Sequence, residues 1–330
     1  MCWFRNNSRA ANQASAGDCA VTLCLHIGRS RGAAPDRRRS SRAGANAKAG
    51  LVLIVALLVL VPTVEAQFDY VTNDGGTITI TKYTGLGGHV AIPASTNGLP
   101  VTVIGEFSFN SWVIISVTIP DSVTMIGNDA FNGSTVTNVI IGNGVTSIGD
   151  RAFLGCTNLL TLTIGNSVTN IGNEAFRVCF VLRSVTIPRS VTHIGDEAFF
   201  YASLVIQRQI YFMGDAPSLG LDVFAYNPDS TAYYLPARTG WSATYGGIPT
   251  SLWHPLVLTD HPSFGVGKNA FGFTSAWASG MTTVVEAKTD LSTASWVPLA
   301  TNTFIDGLSY FSDPQYTNNP SRVYRLRWPN

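Results

Sequence analysis

Charge is scarce in this chain. Asp, Glu, Lys and Arg make up 12% of its 330 residues. Beyond residue 66 only 12 basic side chains face 17 acidic ones, a balance of about −5 that argues against a nucleic-acid partner for that part. Cysteine is as thin. Cys2, Cys19 and Cys24 fall near the start, which leaves Cys156 and Cys179, too few for a zinc site. The histidines, His26, His89, His193, His254 and His261, share no metal-ligand spacing and flank no nucleophile motif. Gly85-Leu86-Gly87-Gly88 and Gly265-Val266-Gly267-Lys268 lack the spacing and the strand-to-helix setting of a phosphate loop. Acidic residues of neighbouring repeats could approach one another at a glycosidase separation. Still, no catalytic, cofactor-binding or metal-binding residue is assigned, and the chain is expected not to be an enzyme.

Long apolar runs are also missing, with one exception. Leu51 to Val61 is an eleven-residue apolar stretch, short against the roughly 20 residues of a membrane-spanning helix. Nine basic residues (Arg5, Arg9, Arg29, Arg31, Arg37, Arg38, Arg39, Arg42 and Lys48) precede it, and Pro62-Thr63-Val64-Glu65-Ala66 follows. Basic, apolar, then small is the order of a secretory signal. Residues 1–66 are therefore expected to be leader and signal, with cleavage after Ala66 and a secreted or cell-surface product. Retained uncleaved, the same stretch would be a membrane anchor. A leader this long ahead of a signal also suggests that translation starts downstream of Met1.

What the chain does have is a sentence of about 23 residues written five times between Val101 and Asp215. Ile104, Ile126, Ile148, Ile171 and Ile194 are each followed by Gly, and Phe109, Phe131, Phe153, Phe176 and Phe199 come five residues after their Ile. Self-similarity at this period means a solenoid. Each copy carries one alternating segment, such as Ser116-Val117-Thr118-Ile119 or Ser184-Val185-Thr186-Ile187. Alternation puts Val117/Ile119, Val139/Ile141, Leu162/Ile164 and Val185/Ile187 on one strand face. A single coil cannot bury that face, but coils stacked ~4.8 Å apart merge such faces into one core. The glycine after each Ile is expected to permit a tight corner. The residue after that glycine is Glu106, Asn128, Asp150, Asn173 or Asp196, which suits an N-cap or Asx-turn before one turn of helix. A calcium column is the alternative, against which stands the six to eight oxygens the ion wants. Thr102, Thr124, Thr146, Thr169 and Thr192 also fall in register. Cys156 and Cys179 lie one period apart, within reach of a disulfide in stacked coils, though buried thiols acting as small apolar groups are the expected reading.

The pattern Leu-x-x-Val-x-Ile-Pro-x-x-Val-x-x-Ile-Gly-x-x-Ala-Phe, closest at Leu182 to Phe199, resembles the BspA-like leucine-rich repeat. That resemblance covers roughly 101–215. It implies a right-handed solenoid with a parallel sheet on its concave side, in secreted and cell-surface proteins that adhere or bind partners, and it carries over no fixed functional residues.

Around the repeats, residues 67–100 read as an N-terminal cap, with a hairpin across Asn73-Asp74-Gly75-Gly76 and a degenerate repeat strand at His89 to Pro93. Residues 216–255 read as a C-terminal cap, in which Val223-Phe224 echoes Ala-Phe. Residues 256–330 hold short apolar runs between turn signals, which suggests a small antiparallel β-sandwich. From Val284 to Leu326 the chain is similar to a C-terminal β module that often follows such repeats in secreted bacterial proteins. The fold class is thus mainly β: a leucine-rich-repeat solenoid with short helical or irregular turns, then a small antiparallel domain.

Two functional expectations follow. In the first, a monomeric solenoid binds a protein or glycan through the outward strand positions Ser116, Thr118, Asn138, Ile140, Thr161, Thr163, Ser184 and Thr186, a flat neutral face suited to many modest hydrogen bonds. Asn138 and Ile140 break the Thr-x-Thr array that ice binding would need. In the second, Tyr234, Trp241, Trp253 and Trp296 stack on sugar rings, whereas caps and sandwiches also use such aromatics as buried packing. No cofactor is expected in either case.

Overall fold

The computed structural model describes residues 20–23, 67–110, 112–202, 209–227, 229–267, 270–289, 295–318 and 322–328. The signal stretch 51–61 and the cleavage point after Ala66 lie outside the described residues. The chain divides into two units: Val55–Trp253, and a second that joins Met1–Ile54 to His254–Asn330.

In the first unit the coils contribute short and long rungs to separate parallel ladders. The short rungs are Leu99–Ile104, Met125–Ile126, Ser147–Ile148, Asn170–Ile171, His193–Ile194 and Ser218–Leu219, hydrogen-bonded in that order. The long rungs run Gly88–Ala91, Ile114–Ile119, Asn138–Ile141 and Thr161–Thr163. A separate parallel run follows: Ser184–Ile187, Gln209–Phe212, Thr231–Tyr234 and Ile248–Leu252. In-register pairing of Val117 with Val139 and of Val139 with Leu162 brings the alternating apolar positions together in one buried core. At the N-terminal end the expected hairpin is present. Phe68–Asn73 pairs antiparallel with Thr77–Tyr83, which in turn runs parallel to Leu99–Ile104.

The phenylalanines form the spine of the core. Tyr83, Phe109, Phe131, Phe153, Phe176, Phe199 and Phe224 stack ring on ring at 5.2, 4.6, 4.9, 5.2, 5.2 and 5.9 Å between centroids. Each buried phenyl is worth about 1.5–3 kcal/mol in area removed from water. Each offset or stacked ring pair adds about 0.5–1.5 kcal/mol more.

Three expectations need correcting. First, no α-helix occurs among the described residues, and the segments before each Phe are turns. The Asn/Asp column does not cap a helix. Asn128 Oδ1 accepts from the Asp150 amide at 2.9 Å, Asp150 Oδ1 from Asn173 at 2.8 Å, Asn173 Oδ1 from Asp196 at 2.8 Å, and Asp196 Oδ1 from Leu221 at 2.7 Å. The side chain that would cap a helix locally is spent on the next coil. Second, the glycine after each Ile is needed for close approach and not for an unusual φ. A Cβ on Gly149 would lie 2.7 Å from Asn128 Oδ1 and 2.8 Å from its backbone nitrogen. Left-handed conformations fall instead on Phe107, Asp129, Arg151, Glu174, Glu197 and Asp222, with φ between 51° and 54°. Each costs about 1–2 kcal/mol, and all but Asp222 donate their amide across to the neighbouring coil's turn. Third, Ser218–Leu219 and the turn to Phe224 form a complete sixth coil, where the sequence suggested only an echo of one.

The second unit holds two antiparallel sheets. One orders Ala20–Leu23, Val323–Arg327, Thr282–Lys288 and Val297–Thr303. The other sets Phe271–Ala276 against Leu256–Val257, Gly265–Val266 and Leu308–Asp313. Phe271, Phe273, Phe311 and Tyr324 pack as its aromatic core. Glu286 is buried and takes hydrogen bonds from Arg325 and Arg327, each at 2.7 Å.

Candidate recognition face

The long rungs place all eight candidate residues on the side away from the core. Ser116, Asn138 and Thr161 align across three rungs, as do Thr118, Ile140 and Thr163. Thr118, Thr161, Thr163, Ser184 and Thr186 are exposed, and so is Ile140 at 41%. The hydroxyls and amides are linked along the stack: His89 Nδ1 lies 2.7 Å from Ser116 Oγ, and Thr161 donates to Asn138 Oδ1 at 2.8 Å. The face is not one sheet, however. Thr161–Thr163 ends the first parallel run and Ser184–Ile187 begins the second.

Beyond the break the column changes character. Thr186 pairs with Tyr211, and Tyr211 with Tyr233. The two tyrosine rings stack at 5.2 Å, and Trp253 lies 4.5 Å from Tyr211. All three are half-buried. Burial raises the Tyr211 phenol above its usual range, with Tyr233 adding to the effect. Neither Tyr211 nor Tyr233 stands out in the sequence, because Thr-x-Thr, Gln209-x-Tyr211 and Thr231-x-Tyr233 do not look alike until the register is known. Exposed Ile115 and Leu160 add apolar area beside the neutral face.

The other aromatic candidates are placed differently. Tyr234 and Trp241 stack on each other at 5.0 Å and 6°, and both pack against the solenoid core. Trp296 sits in the second unit with Lys288 Nζ 4.7 Å and the Arg325 guanidinium 4.4 Å from its ring centre. Trp253 alone of the four keeps company with residues of the outward column.

The charges lie along the turns. Arg151 meets Asp129 at 3.0 Å, and Arg177 bridges Glu174 and Glu197. Burial opposes the Asp129 charge, yet hydrogen bonds from Arg151 and Asn132 hold its carboxyl below the usual carboxylate range. Among the described residues no group of three or more His, Cys, Asp or Glu side chains is placed to hold a metal ion. The threonine column is also committed within the stack. Thr146 and Thr169 each donate a hydroxyl to the threonine carbonyl of the coil before, at 3.1 Å. Cys156 and Cys179 are buried thiols whose S–H groups point to the Phe131 and Phe153 carbonyls at 3.2 and 3.4 Å. Burial pushes the Cys156 thiol well up.

Parallel rungs, a phenyl spine and inter-coil threonine and Asn/Asp ladders define a leucine-rich-repeat solenoid. Residues 100–230 match the family profile described as the BspA type leucine rich repeat region, in six copies. The six matched copies agree with the six coils. No curated protein matches the chain. Among solved structures it is similar to a leucine-rich repeat protein of T. pallidum, with 28% identity, a TM-score of 0.45, and 50% of this chain and 88% of that one covered. It is also similar to a leucine-rich cell surface protein of Faecalibacterium prausnitzii A2-165, with 31% identity, a TM-score of 0.42 and 55% of each chain covered. A leucine-rich repeat protein of Bacteroides capillosus is 29% identical, with a TM-score of 0.32, and the match covers 45% of this chain and 95% of that one.

Proposed function

We propose that the chain is an exported recognition scaffold of the cell surface, which binds a protein or glycan partner and catalyses nothing. The observation that carries this reading is the outward column of the long rungs. It is neutral, solvent-facing and in register within each run, and it turns from Thr118, Ile140 and Thr163 to the aromatic set Tyr211, Tyr233 and Trp253. Tyrosine and tryptophan are the residues that concentrate binding energy at interfaces, while small polar neighbours supply complementarity. The F. prausnitzii relative is described as a cell surface protein, which supports the same setting. Export would rest on the segment ahead of Gln67, and a mature N-terminus at Gln67 by mass spectrometry of secreted material is the expected result.

The test is an array of neutral glycans and extracellular-matrix proteins probed with the full chain and with a Thr118→Arg, Thr163→Arg, Thr186→Arg variant. All three sites are exposed, so folding should survive. Binding should fall at least tenfold in the variant. A ligand bound equally well by both would place recognition elsewhere. The carbohydrate reading is now carried by Tyr211, Tyr233 and Trp253. It predicts that Tyr233→Ala abolishes glycan signals and leaves protein signals unchanged.

A further inference from the structure

The turns carry a second ladder, and its last member is open. In four successive coils three amides, two residues apart, donate to three carbonyls of the next. Asp129, Phe131 and Gly133 donate to Asp150, Ala152 and Leu154 at 2.9, 2.7 and 2.8 Å. Arg151, Phe153 and Gly155 donate to Asn173, Ala175 and Arg177 at 2.8, 2.8 and 2.9 Å. Glu174, Phe176 and Val178 continue to Asp196, Ala198 and Phe200, and Glu197, Phe199 and Tyr201 to Leu221, Val223 and Ala225. The matching donors of the sixth coil are Asp222, Phe224 and Tyr226, and among the described residues no carbonyl accepts from them.

The cause is a short cut in the chain. After Thr244–Tyr245 it turns through Gly246 and Gly247 directly into Ile248–Leu252, with no Ala-Phe turn between. Gly246 presses on the last ring of the spine: a Cβ there would sit 2.7 Å from Phe224 Cδ2. A cleft of about 760 Å³ remains between the turn from Leu219 to Asn227 and this bend, where a seventh turn would lie. Its rim is exposed and chemically specific. Asp222 and Tyr226 line it, both exposed, Tyr226 at 70%. Asp222 occupies the left-handed slot in which Asp129 meets Arg151 of the next coil, but it has no ion pair among the described residues. Tyr226 itself holds φ 56° at a position that is glycine in two earlier coils, Gly133 and Gly155.

We propose that this cleft binds a peptide segment of a partner protein as a surrogate seventh turn. The segment supplies carbonyls at three alternate residues and a basic side chain opposite Asp222. Backbone addition of this kind draws affinity from main-chain bonds and specificity from the side chains that alternate with them. The four preceding junctions are the template for what fits. A second copy stacked head-to-tail fits less well, because its leading coil is already covered: Tyr83 caps the ring stack and its amide takes the Ser108 carbonyl at 2.8 Å. The site is separate from the sheet face and does not depend on it.

The probe is the chain's own third turn, the blocked peptide Ile148-Gly149-Asp150-Arg151-Ala152-Phe153-Leu154-Gly155. Hydrogen exchange of the full chain is followed with and without it. In the free protein the amides of Asp222, Phe224 and Tyr226 should exchange at least tenfold faster than those of Glu197, Phe199 and Tyr201, and saturating peptide should close that gap. Replacing the peptide's arginine by glutamate should remove the protection, and Asp222→Arg in the protein should restore it for that peptide. The Thr118, Thr163, Thr186 variant should respond like the wild type. Absence of peptide protection, or failure of the charge swap to restore it, would overturn the proposal. So would protection that rises with protein concentration alone, which would assign the cleft to a second copy.

Discussion

Removing one ring from the middle of the phenyl spine tests the packing most severely. Phe153 is fully buried and lies between Phe131 at 4.9 Å, interplanar 2°, and Phe176 at 5.2 Å, interplanar 5°. Phe153→Ala takes away the transfer energy of the phenyl group and leaves a cavity that the ladders on either side keep from collapsing, a loss of about 3–5 kcal/mol. Two ring contacts of about 0.5–1.5 kcal/mol each go with it, so the upper end of that range is expected. Against a domain stability of about 5–15 kcal/mol this is a large fraction. Phe224 ends the spine, with one spine neighbour, Phe199, at 5.9 Å. Its other ring neighbour, Tyr245, is tilted by 46° at 6.3 Å and packs more loosely than the 4.9 Å stack at Phe153, so Phe224→Ala should cost up to about 1 kcal/mol less. Urea unfolding followed by circular dichroism, at matched m-values, measures both. Equal losses, or a Phe153→Ala loss below about 1.5 kcal/mol, would mean that the rings are not a continuous stack and would refute the reasoning.

Other outcomes follow from the ladders and the buried charges. Asn173→Leu leaves the Asp196 amide without its 2.8 Å acceptor and should cost about 1–2 kcal/mol, while Asn173→Asp, which keeps the acceptor, should cost little; thermal melts separate the two. The Glu286 carboxyl feels burial that would raise its pKa, but Arg327 and Arg325 outweigh it and hold it below the ordinary value of 4.5. Its contribution is thus full above that value and lost as pH falls through the depressed pKa. Acid titration should loosen the second unit only below pH 4.5, and Glu286→Gln should abolish that part of the transition. Cys156 and Cys179, buried thiols with the Cys156 pKa raised, should resist maleimide in the native chain and react together on unfolding, without a prior reduction step.

The repeat architecture was readable because its markers are the residues that do the packing. Ile148 and Phe153 recur at fixed spacing since each must meet its copy in the next coil. The sixth coil was hidden for a physical reason. Leu219-Gly220-Leu221-Asp222-Val223-Phe224 fills the Ile-Gly-x-x-Ala-Phe slots with side chains of similar shape and different letters. The role of Asn128 and Asp150 was misread because a local cap and an inter-coil acceptor require the same short polar side chain, and only the stacking distance decides between them. Arg151 and Glu174 gave no sign of left-handed backbone, which sequence associates with glycine or asparagine. The aromatic end of the face was missed at Tyr211 and Tyr233 and caught only at Trp253, since the outward phase of those rungs depends on pairing. Nor does the sequence show that Ala20–Leu23 pairs with Val323–Arg327, a contact between segments about 300 residues apart in the chain.

The central claim is that the coils hydrogen-bond to one another in register, and native-state hydrogen exchange addresses it most directly. Amides donated between coils, among them those of Thr146, Thr169, Thr192 and of Asp150, Asn173, Asp196, should open only with the unfolding of the stack and share one high protection. Exchange of these amides at rates near those of an unfolded peptide, or protection that varies at random from coil to coil, would contradict it.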